Sequence, residues 1–332
     1  MRVLIAGFLE AHQCVEEIHL IKLLSQELEA YGHQVDHFEL PYKDDPLFLP
    51  EQAYAAKSIG SLECDLLITV GFPAFLLEHP NKFVFLCSLT PMLREYWDAT
   101  YGGMQSAQYT GIRETMLALQ ANELHYARKV FCGTKALRCD LQTENIRTEL
   151  FTLPLDEARA MGQNVEGDYV IAEALSEYGE DINSLCEIAA HSDGSFRVRL
   201  YMGDHKERIQ FFRKKIKEEQ LHLELCEGKM TLHDLRGARA FIDTSFQMRR
   251  PLQGCTDAFA LGIPVIAMKD SGFAAERISN GKNGYLVHRA EEAADLINRL
   301  YSNPKLYRRL LRNAARNKQN ANLKQIVKEM VD

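Results

Sequence analysis

The stretch SFQMRRPLQGCTDAFALGIPVIAMKDSGFAAERISNGKNGYLV, residues 245–287, carries the pattern that decides the fold. Residues 257–261 read as helix, 263–268 as a short apolar strand, 274–279 as a helical turn and 285–287 as a closing strand. Short β-rich runs that alternate with helical patterns signal a parallel sheet flanked by helices, because parallel neighbours need a crossover connection.

The alternation extends in both directions. Upstream, strands are predicted at 168–172, 196–202, 221–226 and 240–244, with helices near 182–190, over 207–219 and from Thr231. Two helices, 290–301 and 304–329, close the chain. The first half has its own series. A strand at 2–6 precedes a helix over 16–31 with Ile18, Ile21, Leu24 and Leu28 on one face. Strands follow at 34–40, 65–70, 83–87, 129–132 and 150–154, with a long helical region at about 111–127, and 157–167 reads as a crossover. At 332 residues the chain is too long for one ordinary core and suits two. The predicted fold is α/β: two doubly wound, Rossmann-like domains facing across a cleft between the C-terminal edges of their strands.

Composition narrows the function. Lys and Arg total 39 against 46 Asp and Glu, a net charge of −7. Residues 1–165 hold 13 basic and 22 acidic side chains, a balance of −9, and residues 166–332 are at +2. Nucleic acids and anionic membranes reward dense Lys and Arg, so no nucleic acid partner and no membrane association are expected. No apolar run is long enough to span a bilayer, and the N-terminus reads as a first strand rather than a signal peptide. The eight cysteines (Cys14, Cys64, Cys87, Cys132, Cys139, Cys186, Cys226, Cys255) show no zinc spacing, so reduced thiols in a cytoplasmic protein are expected.

Within residues 245–287, Asp257, Gly262, Pro264-Val265-Ile266, Ser271-Gly272, Glu276, Asn280-Gly281 and Asn283-Gly284 fall in a recognisable series. It resembles the donor-domain signature of GT-B glycosyltransferases of the retaining, nucleotide-sugar, group 1 (family four-like) type. That family runs Ala-Gly-x-Pro-Val-Ile, Gly-Gly-x-x-Glu, then Asn/Asp-Gly-x-x-Gly-x-Leu-Val. Tyr178-Gly179-Glu180-Asp181, Met202-Gly203-Asp204 and Glu227-Gly228 resemble further landmarks in the same order. In the first half, Thr90-Pro91-Met92 through Trp97-Asp98, Cys132-Gly133-Thr134 and Leu153-Pro154-Leu155-Asp156 do likewise. The resemblance covers essentially the whole chain. It implies an acceptor-side domain over 1–160, a nucleotide-sugar donor domain over 161–310, and a C-terminal helix in 311–332 that returns to the first domain.

Such a transferase must hold a diphosphate and stabilise the charge released as the glycosidic bond breaks. The resemblance implies that it does so without metal or cofactor, using an Arg and a Lys after the first donor-domain strand and two acids eight positions apart. This chain departs at each point. Arg249 stands where the upstream acid is expected, Asp257 keeps a shorter carboxylate, and Glu173 and Tyr178 replace the cationic pair. The first loop reads Phe8-Leu9-Glu10-Ala11-His12 instead of paired glycines, and Leu89 replaces a histidine. Either Arg249 and Arg250 compensate, since a planar guanidinium suits two phosphate oxygens, or the donor site has decayed.

The candidate donor-binding residues are therefore Arg249, Arg250, Asp257, Gly203, Asp204, Lys206, Arg208, Gly228, Lys229, Thr231, Ser271, Gly272 and Glu276. Turn chemistry alone also accounts for Gly203-Asp204. The acceptor-side candidates are His12, Thr90, Arg94, Trp97 and Tyr101, against which stand a solvated loop histidine and a packed tryptophan. The terminal run Arg308, Arg309, Arg312, Arg316, Lys318, Lys324 and Lys328 reads as the solvated face of an amphipathic helix. The leading expectation is a metal-independent, retaining transfer from a nucleotide-diphosphate sugar to an unspecified acceptor; no catalytic base is assigned. The alternative is a non-catalytic GT-B protein, a partner subunit of an active transferase or a glycan-binding protein. An epimerase or hydrolase is the weakest alternative, because no acid/base constellation stands out.

Overall fold

The computed structural model describes residues 1–8, 15–43, 45–87, 107–152, 167–174, 180–192, 194, 196–203, 206–245, 253–316 and 322–332. The chain divides into two compact units, one holding Met1–Pro154 and the C-terminal segment from Asn320, the other holding most of the residues from Leu155 to Gln319.

The first unit contains β1 (Arg2–Phe8), α1 (Val15–Ala30), β2 (Gln34–Leu40), α2 (Leu49–Ser58), β3 (Leu66–Val70), β4 (Lys82–Leu86), α3 (Ala107–His125), β5 (Lys129–Cys132), α4 (Lys135–Thr143) and β6 (Thr148–Leu150). Its six strands are parallel in the order β2-β1-β3-β4-β5-β6. β3 and β4 are buried along their whole length, which explains why LLITV and, after Lys82, FVFL read as continuous apolar runs instead of alternating ones. Side chains divide by strand parity. Phe83 and Phe85 join the core under α1, whereas Val84 and Leu86 join the core that includes Leu49, Met116 and Leu137.

In α1 the buried stripe is Leu20, Leu24 and Leu28, and Ile18 is 49% exposed, which corrects its placement on the apolar face. The stripe begins at Glu17, one residue and about 100° away from Ile18. The last strand lies at 148–150, not 150–154, and α2 and α4 are additions to the sequence reading. Thr134 caps α4 by accepting a hydrogen bond from the Leu137 N–H.

The second unit contains β7 (Tyr169–Glu173), α5 (Glu180–Ala190), β8 (Arg197–Tyr201), α6 (Lys206–Glu218), β9 (Leu223–Cys226), α7 (Leu232–Arg236), β10 (Ala238–Asp243), α8 (Gln253–Leu261), β11 (Val265–Met268), α9 (Phe273–Arg277), β12 (Gly284–Val287), α10 (Ala290–Ser302) and α11 (Pro304–Arg316). Its six parallel strands run β12-β11-β10-β7-β8-β9. The chain winds outward from β7 to β9, then returns to the other side of β7 and winds out again. α5, α6 and α10 cover one face through Ile182, Ile209 and Ile297, and α7, α8 and α9 cover the other through Leu235, Ala258 and Phe273. Both units are doubly wound α/β structures, as the alternating pattern predicts.

The region 304–329 is not one helix. α11 ends at Arg316, and α12 (Leu323–Val331) begins again at Asn322. α12 belongs to the first unit, where Leu323, Ile326, Val327 and Met330 enter the core beneath α1. Asn322 secures its start: its Oδ1 accepts from the Thr152 N–H at 2.8 Å, and its Nδ2 donates to the Leu150 carbonyl at 2.8 Å.

Candidate functional site

In an open parallel sheet, ligands bind beyond the C-terminal ends of the strands where the winding direction reverses. In the second unit that point lies between β7 and β10, which end at Glu173 and Asp243. Asp243 is buried, and its Oδ1 accepts from the Ser245 N–H at 2.9 Å, turning the chain as it leaves β10. Ser245 donates through Oγ to the Ser271 carbonyl at 3.3 Å, which ties the ends of β10 and β11 together.

Ser271 is fully buried, and its Oγ has no hydrogen-bond partner among the described residues. Gly272 follows at φ 77° and ψ −100°, a conformation that no residue with a Cβ adopts without strain, and α9 starts immediately after it. Glu276 lies half-buried in that helix. Next to it the Arg277 guanidinium sits 4.3 Å over the Phe273 ring. Burial holds its pKa below the ordinary arginine value, an effect opposed by its neighbours Cys255 and Glu276.

On the β8–β9 side, Gly203 and Gly228 follow their strands and pair across in a single bridge. Lys229 is exposed. The Thr231 hydroxyl is engaged in a capping box with Asp234: it accepts from the Asp234 N–H at 3.2 Å, while the Thr231 N–H donates to Asp234 Oδ2 at 2.9 Å. Asp257 lies half-buried on α8. Lys206 and Arg208 fall in the first turn of α6, with their side chains outside the described residues. Arg249, Arg250 and Asp204 also lie outside them. The structure thus brings Ser271, Gly272 and Glu276 to the end of β11 and Gly203, Gly228, Lys229 and Thr231 to the ends of β8 and β9.

Glu173 shapes the middle of this edge. Its carboxylate packs on Gly254 in the first turn of α8, so closely that a Cβ on Gly254 would collide with the carboxylate and with the Met230 methyl. Cys255 beside it is fully buried. Its thiol is pushed up well above the usual range by burial first, then by the Asp243 charge, with Glu173 adding to the effect, so it stays protonated and unreactive. Asp243 and Arg277 are site residues that the sequence reading missed. An acid closing an apolar strand was the available signal for Asp243, whereas an arginine buried over a phenylalanine left none.

The first unit reverses its winding between β1 and β3. Here Glu17, only 3% exposed, presents its carboxylate to Gly71 just after β3, and a Cβ there would lie 2.7 and 2.9 Å from its two oxygens. Its signal was a carboxylate heading an otherwise leucine stripe. His12, Thr90, Arg94, Trp97 and Tyr101 lie outside the described residues. Among the described residues no group of three or more His, Cys, Asp or Glu could hold a metal, the seven cysteines are free, and no helix is long and apolar enough to cross a membrane.

Residues 254–317 match the family model of glycosyl transferases group 1. No curated protein sequence matches the chain. Among solved structures, HepE of Anabaena in complex with UDP is similar over 100% of this chain and 99% of its own, with a TM-score of 0.71 at 14% identity. WaaG, a glycosyltransferase involved in lipopolysaccharide biosynthesis, is similar over 100% and 99%, with a TM-score of 0.67 at 12% identity. A glycosyltransferase from Rickettsia africae gives 0.65 at 15% identity over the same shares. The chain has two doubly wound α/β units like these proteins, and the segment of its second unit from 254 to 317 is the part that matches the group 1 family model.

Proposed function

We propose that the chain is a glycosyltransferase that takes a sugar from a nucleoside-diphosphate donor and passes it to an acceptor, holding the donor at the C-terminal edge of the second sheet. The observation that carries this reading is the buried Ser271 hydroxyl, unpartnered by the described residues, beside the Gly272 turn and within the segment that matches group 1 glycosyltransferases. HepE, similar over its whole length, has been crystallised with UDP and with UDP-glucose.

In this reading the donor diphosphate gathers negative charge as the glycosidic bond breaks. Backbone N–H groups around Gly272 and the guanidinium groups of Arg249 and Arg250 stabilise it. Asp257 accepts hydrogen bonds from ribose hydroxyls, and Glu276 lies close to the diphosphate at the start of α9. Transfer proceeds with retention and uses neither metal nor cofactor. The acceptor is taken by the first unit, for which His12, Thr90, Arg94, Trp97 and Tyr101 are the candidate contacts. The protein works in the cytoplasm.

One observation favours a second reading. Glu173 places a carboxylate against the first turn of α8, where a diphosphate is repelled by it. A non-catalytic GT-B protein, acting as a stabilising partner or glycan binder, accommodates that charge without difficulty. Calorimetric titration of the purified chain with uridine, guanosine and adenosine diphosphates separates the two. The transferase reading expects binding of one of them and slow release of free sugar from the matching donor. A folded protein that binds none of the three rejects transfer.

A further inference from the structure

The second unit carries a charged face that the donor reading does not use. α11 reads PKLYRRLLRNAAR and contains no carboxylate. Tyr307, Leu310 and Ala314 point inward and are buried, while Lys305, Arg308, Arg309, Arg312 and Arg316 are exposed. Their spacing of three, one, three and four residues puts them on one face, a line of cations roughly 16 Å long at 1.5 Å per residue. Among the described residues, no ion pair involves Lys305, Arg309, Arg312 or Arg316. By contrast, the exposed Arg197, Arg213, Lys214 and Arg289 are each paired with a carboxylate.

The helix is held rigidly, and at the opposite end of the sheet from the donor edge. Gly262, at φ 69° just before β11, lies so close to α11 that a Cβ would meet the Ala315 backbone at 2.9 Å. Arg239 near the start of β10 donates to the Leu300 carbonyl at 3.1 Å, and its guanidinium lies 4.3 Å from the Tyr301 ring and 4.6 Å from the Tyr307 ring. Asn313 Nδ2 reaches the Gly281 carbonyl ahead of β12 at 3.5 Å. Side-chain cations on a pre-ordered helix lose little further backbone entropy when they meet a polyanion.

We propose that this face of α11 is an electrostatic docking surface for an anionic phospholipid bilayer. Four to eight Lys and Arg residues on one amphipathic helix are the recognised pattern for acidic headgroups. The apolar side of α11 is used up inside the protein, so docking is superficial and reversible, without insertion. Nucleic acid fits less well. The face offers no aromatic side chain for base stacking. The proposal departs from the expectation of no membrane association drawn from the overall charge of −7: charges farther away than about 10 Å are screened at physiological salt, and only the local stripe is felt.

Vesicle sedimentation with the full chain tests this. Phosphatidylcholine vesicles with an equal share of phosphatidylglycerol are expected to pull the protein down, pure phosphatidylcholine vesicles are not, and binding should disappear at about 0.5 M salt. The variant Arg309→Gln/Arg312→Gln/Arg316→Gln should bind the acidic vesicles roughly a hundredfold more weakly, from about five-fold per cation removed. Its circular dichroism and nucleotide affinity should be unchanged. Lys214→Gln/Lys217→Gln on α6 is the matched control and should bind as the parent does. Equal binding to both vesicle types, or full binding by the triple variant, overturns the proposal. So does a DNA duplex that competes fully at equal charge, which would assign the face to nucleic acid. Salt-sensitive self-association lost in the triple variant, without vesicle binding, would assign it to a second copy instead.

Discussion

Glu173 and Ser271 set opposite conditions on a phosphate at the same sheet edge. The Glu173 carboxylate already lies against the start of α8, where backbone N–H groups favour an anion, so an incoming diphosphate meets a like charge. Glu173→Gln keeps the shape and removes the charge. Nucleoside diphosphate affinity should rise by roughly five-fold, a difference on the order of 1 kcal/mol, and calorimetry showing equal or weaker binding would count against this arrangement. Ser271 works the other way. Its buried hydroxyl has no partner among the described residues, so Ser271→Ala should leave thermal stability unchanged or slightly raised, within about 0.5 kcal/mol of the parent. If the hydroxyl meets the donor, the same change should weaken nucleotide binding by about ten-fold, a loss near 1.4 kcal/mol. Arg249→Glu extends the test to the compensating cations: a phosphate ligand reversed in charge should lose most of the affinity, whereas a drifted surface position should lose almost none. At this scale much of the edge was legible, because Ser271, Gly272 and Glu276 lie in an unbroken run between two strands. Arg277 escaped because burial of a charge depends on which distant segment closes over it, and local spacing carries no information about that.

α7 shows how an element can take a residue away from a site. Thr231 stands at the end of the β9 loop, where it invited a role in ligand binding, but its hydroxyl and N–H are both spent on Asp234. Burial acts to raise the Asp234 pKa, and the hydrogen bonds from Thr231 and Tyr201, with His233 nearby, together outweigh it, leaving the carboxyl below its usual value. A depressed carboxylate contributes stability above its unfolded pKa and loses it as the pH falls through the folded one. Thr231→Ala should therefore lower stability by about 1 kcal/mol at neutral pH, with the gap to the parent narrowing below about pH 4. A calorimetric difference that stays constant down to about pH 3 would show that the cap does not depend on the ionised acid. The alternation of elements was readable throughout, since fully apolar strands such as LLITV have no competing interpretation between helical patterns. The ends were less so. The strand at 148–150 is shorter and earlier than its sequence suggests because Thr148, Glu149 and Leu150 pair with β5 only as far as Cys132 allows. The break between α11 and α12 hinges on Asn322, whose partners Leu150 and Thr152 lie far back in the chain.

The two units do not correspond to two uninterrupted halves of the chain, and this makes the C-terminus part of the first fold. α12 supplies Leu323, Ile326, Val327 and Met330 to the core beneath α1, each no more than 5% exposed. A fully buried aliphatic side chain contributes about 1.5–3 kcal/mol, so four contribute on the order of 6–12 kcal/mol. That is comparable to the whole stability of an ordinary domain, about 5–15 kcal/mol. The Asn322 hydrogen bonds and the Lys324–Glu27 pair at 3.3 Å add to it, the pair only slightly because it is exposed. Ending the chain after Arg316 should therefore unfold the first unit while leaving the second, whose core draws on α5 to α11, intact. Hydrogen exchange should show β1, β3 and β4 losing protection and β7, β10 and β11 keeping it. Because the donor edge lies within the second unit, the truncated chain should still bind the nucleoside diphosphate that the full chain binds, within a few-fold, but should transfer nothing to an acceptor. Loss of nucleotide binding together with the first unit would mean that the donor site needs both. A first unit that stayed protected would mean that α12 rests on a core already complete without it.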